Sequence, residues 1–260
     1  SGSPKIISIG GTDTKTGKVL PNLALMSDLP SDASKSMAVT PITTLVAVAE
    51  TPAAKAKVLT ALGVTGTVED LLTTDSWAEA EAGDTNAKEL QRKNQQVGLI
   101  LQTAESLVDS SSSTKATDVT QAVAKQLVEE TSSSDSVDLT QADTITQVLT
   151  DSVAEVAPSA AVSAEAIAAV SNSVSQVNTL VADTSLDPTG DASAEILEAA
   201  QTTLQSSAEA LVAGTVDVAG FTSATDSKNL FDGSTVLAAL PDADGDGLSD
   251  AIDSDDDNDG

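Results

Sequence analysis

Residues 140–181 read TQADTITQVLTDSVAEVAPSAAVSAEAIAAVSNSVSQVNTLV. In the first half Ile145, Leu149, Val153 and Val156 recur every three or four residues until Pro158 stops them. In the second half Ile167, Val170, Val174, Val177 and Val181 do the same. Such spacing puts one apolar stripe on each of two helices. Thr140, with Asp143 three residues on, reads as a capping box, and Ser163 reads as the cap of the second helix. Helices joined this closely fold back on one another at shallow angles, as in an antiparallel bundle.

The same pattern extends both ways. Downstream, Asp191 is expected to cap a helix carrying Leu197, Ala200, Leu204, Ala208 and Leu211, which Gly214 ends. Upstream, Val119, Val123 and Leu127 form one stripe before the polar run Thr131 to Ser136. Leu90, Val97, Leu101, Ala104 and Val108 form another before the linker Ser110 to Ser113. Thr40-Pro41 is a helix start, with Ile42, Leu45, Val46 and Ala49 behind it, and Pro52 opens a second short helix that Gly63 ends. Short helical pieces follow through Val68–Leu72 and Trp77.

Residues 5–30 change period. Lys5-Ile6-Ile7-Ser8-Ile9 is a β-branched run closed by Gly10-Gly11, Asp13 to Gly17 has turn chemistry, and Val19-Leu20 with Leu23–Met26 is a second apolar stretch. A small β-hairpin or sheet edge is expected there. Residues 215–240 are mixed, and Val216–Val218, Phe221, Leu230, Phe231 and Val236-Leu237 are expected to close the bundle by a short strand or turn.

Composition narrows the chemistry. The 260 residues include 12 Lys+Arg against 40 Asp+Glu, a net charge of −28, with no His and no Cys. Catalysis by His or Cys, thiolate–imidazole zinc and disulfides therefore need residues the chain lacks. Nucleic acid needs clustered cations that are absent, and no apolar run reaches the roughly 18 residues of a membrane span. Trp77, Phe221 and Phe231 are the three aromatic residues. The core must then come from Val, Leu, Ile and Ala, with Trp77 as a core anchor and the two Phe plugging the bundle end. Arg92 is expected to pair with a neighbouring acid. The start Ser1-Gly2-Ser3-Pro4 has no charged, apolar leader, which fits a mature protein or an excised piece.

Residues 242–260 are different again: nine Asp and no basic residue. Asp242-x-Asp244-x-Asp246-Gly247-x-x-Asp250-x-x-Asp253 puts oxygens at positions 1, 3, 5, 9 and 12 of a twelve-residue loop, with Gly at 6 and the Leu248 carbonyl at 7. That order matches a Ca²⁺ loop of the EF-hand type, where alternate side chains converge and glycine allows the sharp turn. Hard carboxylate oxygens without His or Cys select Ca²⁺ or Mg²⁺ over zinc, and many ligands on a flexible loop favour Ca²⁺. Asp255-x-Asp257-x-Asp259-Gly260 restarts the pattern 13 residues later, so the sequence is expected to stop inside a repeat array.

This segment resembles a thrombospondin type 3 calcium repeat. The resemblance covers 19 of 260 residues and implies Asp242, Asp244, Asp246, Asp250 and Asp253 as ligands of one ion. Asp253, Asp255, Asp257 and Asp259 would belong to a neighbouring, incomplete site. Gly10–Gly17 followed by Thr40–Leu45 is similar to a module of very large repetitive bacterial surface proteins.

The expected architecture is mainly α: a β-rich segment over 1–39, an antiparallel helical bundle over 40–240 and a calcium-loop tail over 241–260. The expected role is a non-catalytic structural or adhesive module of a secreted, cell-surface protein, whose Ca²⁺ loops stiffen the connection to the next domain. Its partners would be neighbouring domains, copies of itself, or a surface glycan or protein, with neither nucleic acid nor a membrane span. A subunit of an extracellular filament or surface layer is the alternative, with β segment 5–9 or the Ser/Thr-rich helix faces meeting the next copy. A carboxylate-based glycoside-acting enzyme, drawing on Glu129 with Glu130 or on Asp13, is the contrasting class.

Overall fold

The computed structural model describes residues 4–13, 16–32, 34–108, 115–158, 162–231 and 242–243. The chain is mostly helical, with a small antiparallel sheet near its N-terminus, as the sequence predicts. Strands β1 (Lys5–Ile9) and β2 (Ala24–Asp28) pair antiparallel with Ile7 opposite Met26. β2 is built into the body. The Thr44 hydroxyl accepts from the Met26 amide at 2.9 Å, the Thr43 hydroxyl donates to the Met26 carbonyl at 2.9 Å, and Thr120 donates to the Ala24 carbonyl at 3.0 Å.

Four short helices follow: α1 (Pro41–Val48), α2 (Pro52–Ala61), α3 (Val68–Thr73) and α4 (Ser76–Glu81). Each begins where a Thr or Asp side chain accepts a backbone N–H, at Thr40, Thr51, Thr67 and Asp75. Gly63, at φ 71°, ends the second as predicted. The long helices are α5 (Thr85–Ser106), α6 (Ala116–Ser133), α7 (Ala142–Val156) and α8 (Ala164–Ala182), with Ser163 capping the last of these. α6, α7 and α8 pack in succession, and α5 lies against all three.

Two predicted caps are corrected. Thr140 does not cap α7, because Asp138 draws its hydroxyl (2.7 Å) and its amide (2.9 Å) into a local turn, so the cap falls one residue later at Gln141 and the helix starts at Ala142. Asp191 is the first residue of α9 (Asp191–Ala199) rather than its cap, which is Gly190. Its charge still faces the helix N-terminus. α9 runs through a π-turn at Ala200–Leu204 into α10 (Gln205–Val212), and Gly214 (φ 67°) follows.

Ala200, Leu204 and Ala208 are buried as expected, but the line reaches them from Ile196, while Leu197 and Leu211 are half-buried. Strict four-residue spacing drifts about 40° per step around a helix of 3.6 residues per turn, and the wider π-turn takes back part of that drift. The end of the bundle is closed by helices α11 (Val218–Ala224, capped by Asp217) and α12 (Ser227–Leu230), not by a strand. Phe221 and Phe231 are fully buried there, and Val236-Leu237 lie outside the described residues.

Many hydroxyls of the helices face inward. Ser152, Ser171 and Thr225 are buried and donate to the carbonyls of Val148, Ile167 and Phe221, four residues back. Closing the O–H on its own helix lets Ser or Thr serve as a small core residue without an orphaned polar group.

Candidate functional site

α5 is the axis around which the site is built. It is buried on nearly every side, with Arg92, Asn94, Gln96 and Thr103 inside as well as Val97, Leu99, Ile100 and Leu101. Gly98 lies mid-helix, where glycine costs stability, because Pro41 presses against it: an added Cβ would lie 3.3 Å from the Pro41 Cγ.

One face of α5 holds the loop before α9. Lys88 pairs with Asp187 at 2.7 Å, Arg92 donates to the Leu186 carbonyl at 2.9 Å, and Gln95 donates to the Pro188 carbonyl at 2.8 Å. Asp187 also accepts from the Thr189 amide and hydroxyl. Hydrogen bonds from Lys88 and Thr189 hold its carboxyl at about 2, well below the usual value. The expected partner of Arg92 is found in Glu89, at 3.5 Å, although the guanidinium's shorter bond is to the Leu186 carbonyl.

The clamped loop, α5, α4, α9 and the chain after β1 enclose a cavity of about 330 Å³. Leu99 and Gln201 are buried in its wall, and Gly11 and Thr12 are exposed at its rim. Trp77 lines it and is half-buried, outside the hydrophobic cluster. Its expected role as a core anchor is thereby corrected: the four-residue interval from Ser76 to Ala80 faces inward, and the indole turns toward the cavity. Asp13 is the one carboxylate among the described lining residues, and its oxygens accept from the Thr16 amide (3.2 Å) and from Gln201 (3.3 Å). Glu129 and Glu130 are on α6 and do not line this cavity.

The amide side chains Gln91, Asn94, Gln95, Gln102 and Gln201 also line the cavity, and sequence reasoning passed them over. A signal existed. Gln91, Asn94, Gln95 and Gln96 crowd α5 where an exposed helix would carry Glu–Lys pairs.

Among the predicted metal ligands, Asp242 is described and is half-buried. Asp244, Asp246, Leu248, Asp250, Asp253, Asp255, Asp257 and Asp259 lie outside the described residues, so their predicted loop has no geometry here. Among the described residues no group of three or more carboxylates is placed to hold a metal ion, and no helix is long and apolar enough to cross a membrane. No protein-family model, curated protein or solved structure matches the chain.

Proposed function

We propose that this chain is a non-catalytic structural or adhesive module of a secreted, cell-surface protein, and that Ca²⁺ taken up by residues 242–260 stiffens the chain beyond the helical body. The observation that carries this reading is the repeat of Asp-x-Asp-x-Asp-Gly at Asp242 and again at Asp255. Without metal, nine carboxylates in 19 residues repel one another. Neutralisation by Ca²⁺ would fold the segment, so that binding energy becomes ordering energy. Asp at position 12 is shorter than the usual Glu, which points to the weak range of extracellular modules.

Calorimetric titration of the whole chain with CaCl₂ is expected to show binding with Kd of about 0.1–1 mM. A chain ending at Leu240 should lose the binding and keep the melting temperature of its helices. Silence at several millimolar Ca²⁺ would sink the loop assignment, and binding that survives truncation would move the sites into the body.

A second reading, a self-assembling filament or layer subunit, is favoured by β1. All five of its residues are exposed, with Ile6, Ile7 and Ile9 at 41%, 48% and 61%. One edge pairs with β2, whose own far side meets Thr43 and Thr44, while the other edge of β1 meets no strand among the described residues. An open, apolar edge is a template for another strand. Sedimentation at rising concentration should show association at about 100 μM, reduced by Ile7→Lys. A monomer at every concentration would remove this reading.

A further inference from the structure

We propose that the cavity between Trp77, α5 and the π-turn binds a single neutral sugar ring. This goes beyond the calcium reading and does not depend on it, since none of the described lining residues comes from residues 242–260.

Three features converge on that ligand class. The first is size: about 330 Å³ is at the small end of ligand pockets, which run from about 300 to 1,000 Å³, and suits one ring rather than a chain. The second is the combination of an aromatic face with apolar walls. The indole of Trp77, the sole tryptophan, stands with Leu20, Leu23 and Leu197, a surface on which the C–H face of a sugar can pack.

The third is hydrogen-bond polarity fixed by the protein itself. The Asn94 Oδ1 accepts the Ile42 amide at 3.1 Å, so its NH₂ is left to donate. The Gln95 NH₂ is spent on the Pro188 carbonyl, and its Oε1 is buried without any partner. Two lining residues of α5 thus carry one amide NH₂ left to donate and one acceptor without a partner, the two roles that the hydroxyl groups of a sugar combine. A buried acceptor left unpaired costs stability, and a ligand O–H would recover that cost.

Charge argues in the same direction. Among the described residues no Lys or Arg lines the cavity, and Asp13 is already engaged by Thr16 and Gln201. An anion would meet no counter-charge among those described residues, in a protein of net charge −28. The π-turn adds a structural reason to read the place as a site: Gln201, 4% exposed, falls within it, and such turns are found disproportionately where a helix re-aims a side chain for function.

The single indole makes the test direct. Fluorescence of the full chain would be titrated with D-glucose, D-galactose, D-mannose and N-acetyl-D-glucosamine, with D-glucuronate and choline as charged comparisons. At least one neutral sugar should give a saturable change with Kd of about 0.1–10 mM. Gln95→Met, which removes the acceptor, and Ala194→Leu, which fills the cavity, should each weaken that response about ten-fold or more while calcium binding is unchanged. No response to any of the four sugars up to about 100 mM, ten-fold above the top of that range, overturns the proposal. So does binding of glucuronate or choline at least as tight as the best sugar, or sugar binding that survives Ala194→Leu. The wild-type titration decides alone should a variant not fold, and loss of calcium binding on truncation, with sugar binding kept, separates the two readings.

Discussion

Replacing Phe221 by Ala is expected to destabilise the protein by about 3–5 kcal/mol, with a fall in melting temperature of about 10 °C. Phe221 is fully buried and is one of two phenylalanines in the chain. Apart from Phe231, itself fully buried at this end, the core around it is aliphatic, so filling the space would mean moving a ring already packed elsewhere. The position is also fixed from the backbone side. Asp217 caps α11, the Phe221 carbonyl accepts from Thr225, and Thr225 in turn shares a 2.8 Å hydrogen bond with Ser173 of α8. Collapse of the site after truncation is resisted by that network, which places the cost toward the upper part of the range. Phe221→Leu keeps most of the volume and should cost less than half as much. Urea melts of both variants check this. A loss below about 1 kcal/mol for the Ala variant would mean that α11 and α12 form a loosely held flap, not the closed end of the core.

The helices were legible wherever a local signal sets them. Thr40-Pro41, Pro52 with Gly63, Ser163 and Gly214 each start or stop a helix by chemistry within four residues. Thr140 and Asp191 misled because a second side chain, Asp138 in one case and Asp187 in the other, organised the backbone first. α5 shows what a single stripe hides. The run Val97-Gly98-Leu99-Ile100-Leu101 is apolar around the whole helix, the mark of an element surrounded by others. The cavity was not legible at all. Its walls come from Ser8 to Gln201 across several elements, and nothing in the spacing of Trp77, Gln95 and Gln201 reports that they meet. The acidic tail is the reverse case: its information is in residue order alone, at fixed offsets within 19 residues.

Those two kinds of signal divide the molecule by how it would act. On the calcium reading the tail would respond to an ion through charge, and that response would vanish with the segment. The cavity is held by α5 through Lys88, Arg92 and Gln95, spaced at four and three residues on one face, so its shape depends on the packed body. A module that is stiffened by Ca²⁺ at one end and holds a sugar in its body would keep the second property when the first is removed.

Glu105 supplies the other large effect, because its charge is at odds with its surroundings. It stands near the end of α5 beside a groove that Lys18 and Glu209 also line, and its Oε1 is buried without a partner. Burial pushes its carboxyl up to about 8 from 4.5. Below pH 4.5 the group is protonated in both the folded and the unfolded chain and contributes nothing. Between 4.5 and 8 the folded chain keeps a proton that the unfolded chain has released, so stability falls as pH rises, and it levels off above 8. The full shift corresponds to about 5 kcal/mol, and the group's partial contact with water reduces this to about 2–3 kcal/mol. Glu105→Gln keeps the shape without the charge. It should be more stable than the wild type by about that amount at pH 8, with the difference shrinking toward pH 5. Asp187 acts in another window: its carboxyl, held at about 2, contributes stability above 3.8 that is lost as pH falls through 2. The difference between wild type and variant from pH 5 to 8 therefore reports Glu105. Denaturant melts at pH 5, 6.5 and 8 measure it, and a variant that is equal or weaker at pH 8 would show that the Glu105 carboxylate has found a compensating donor.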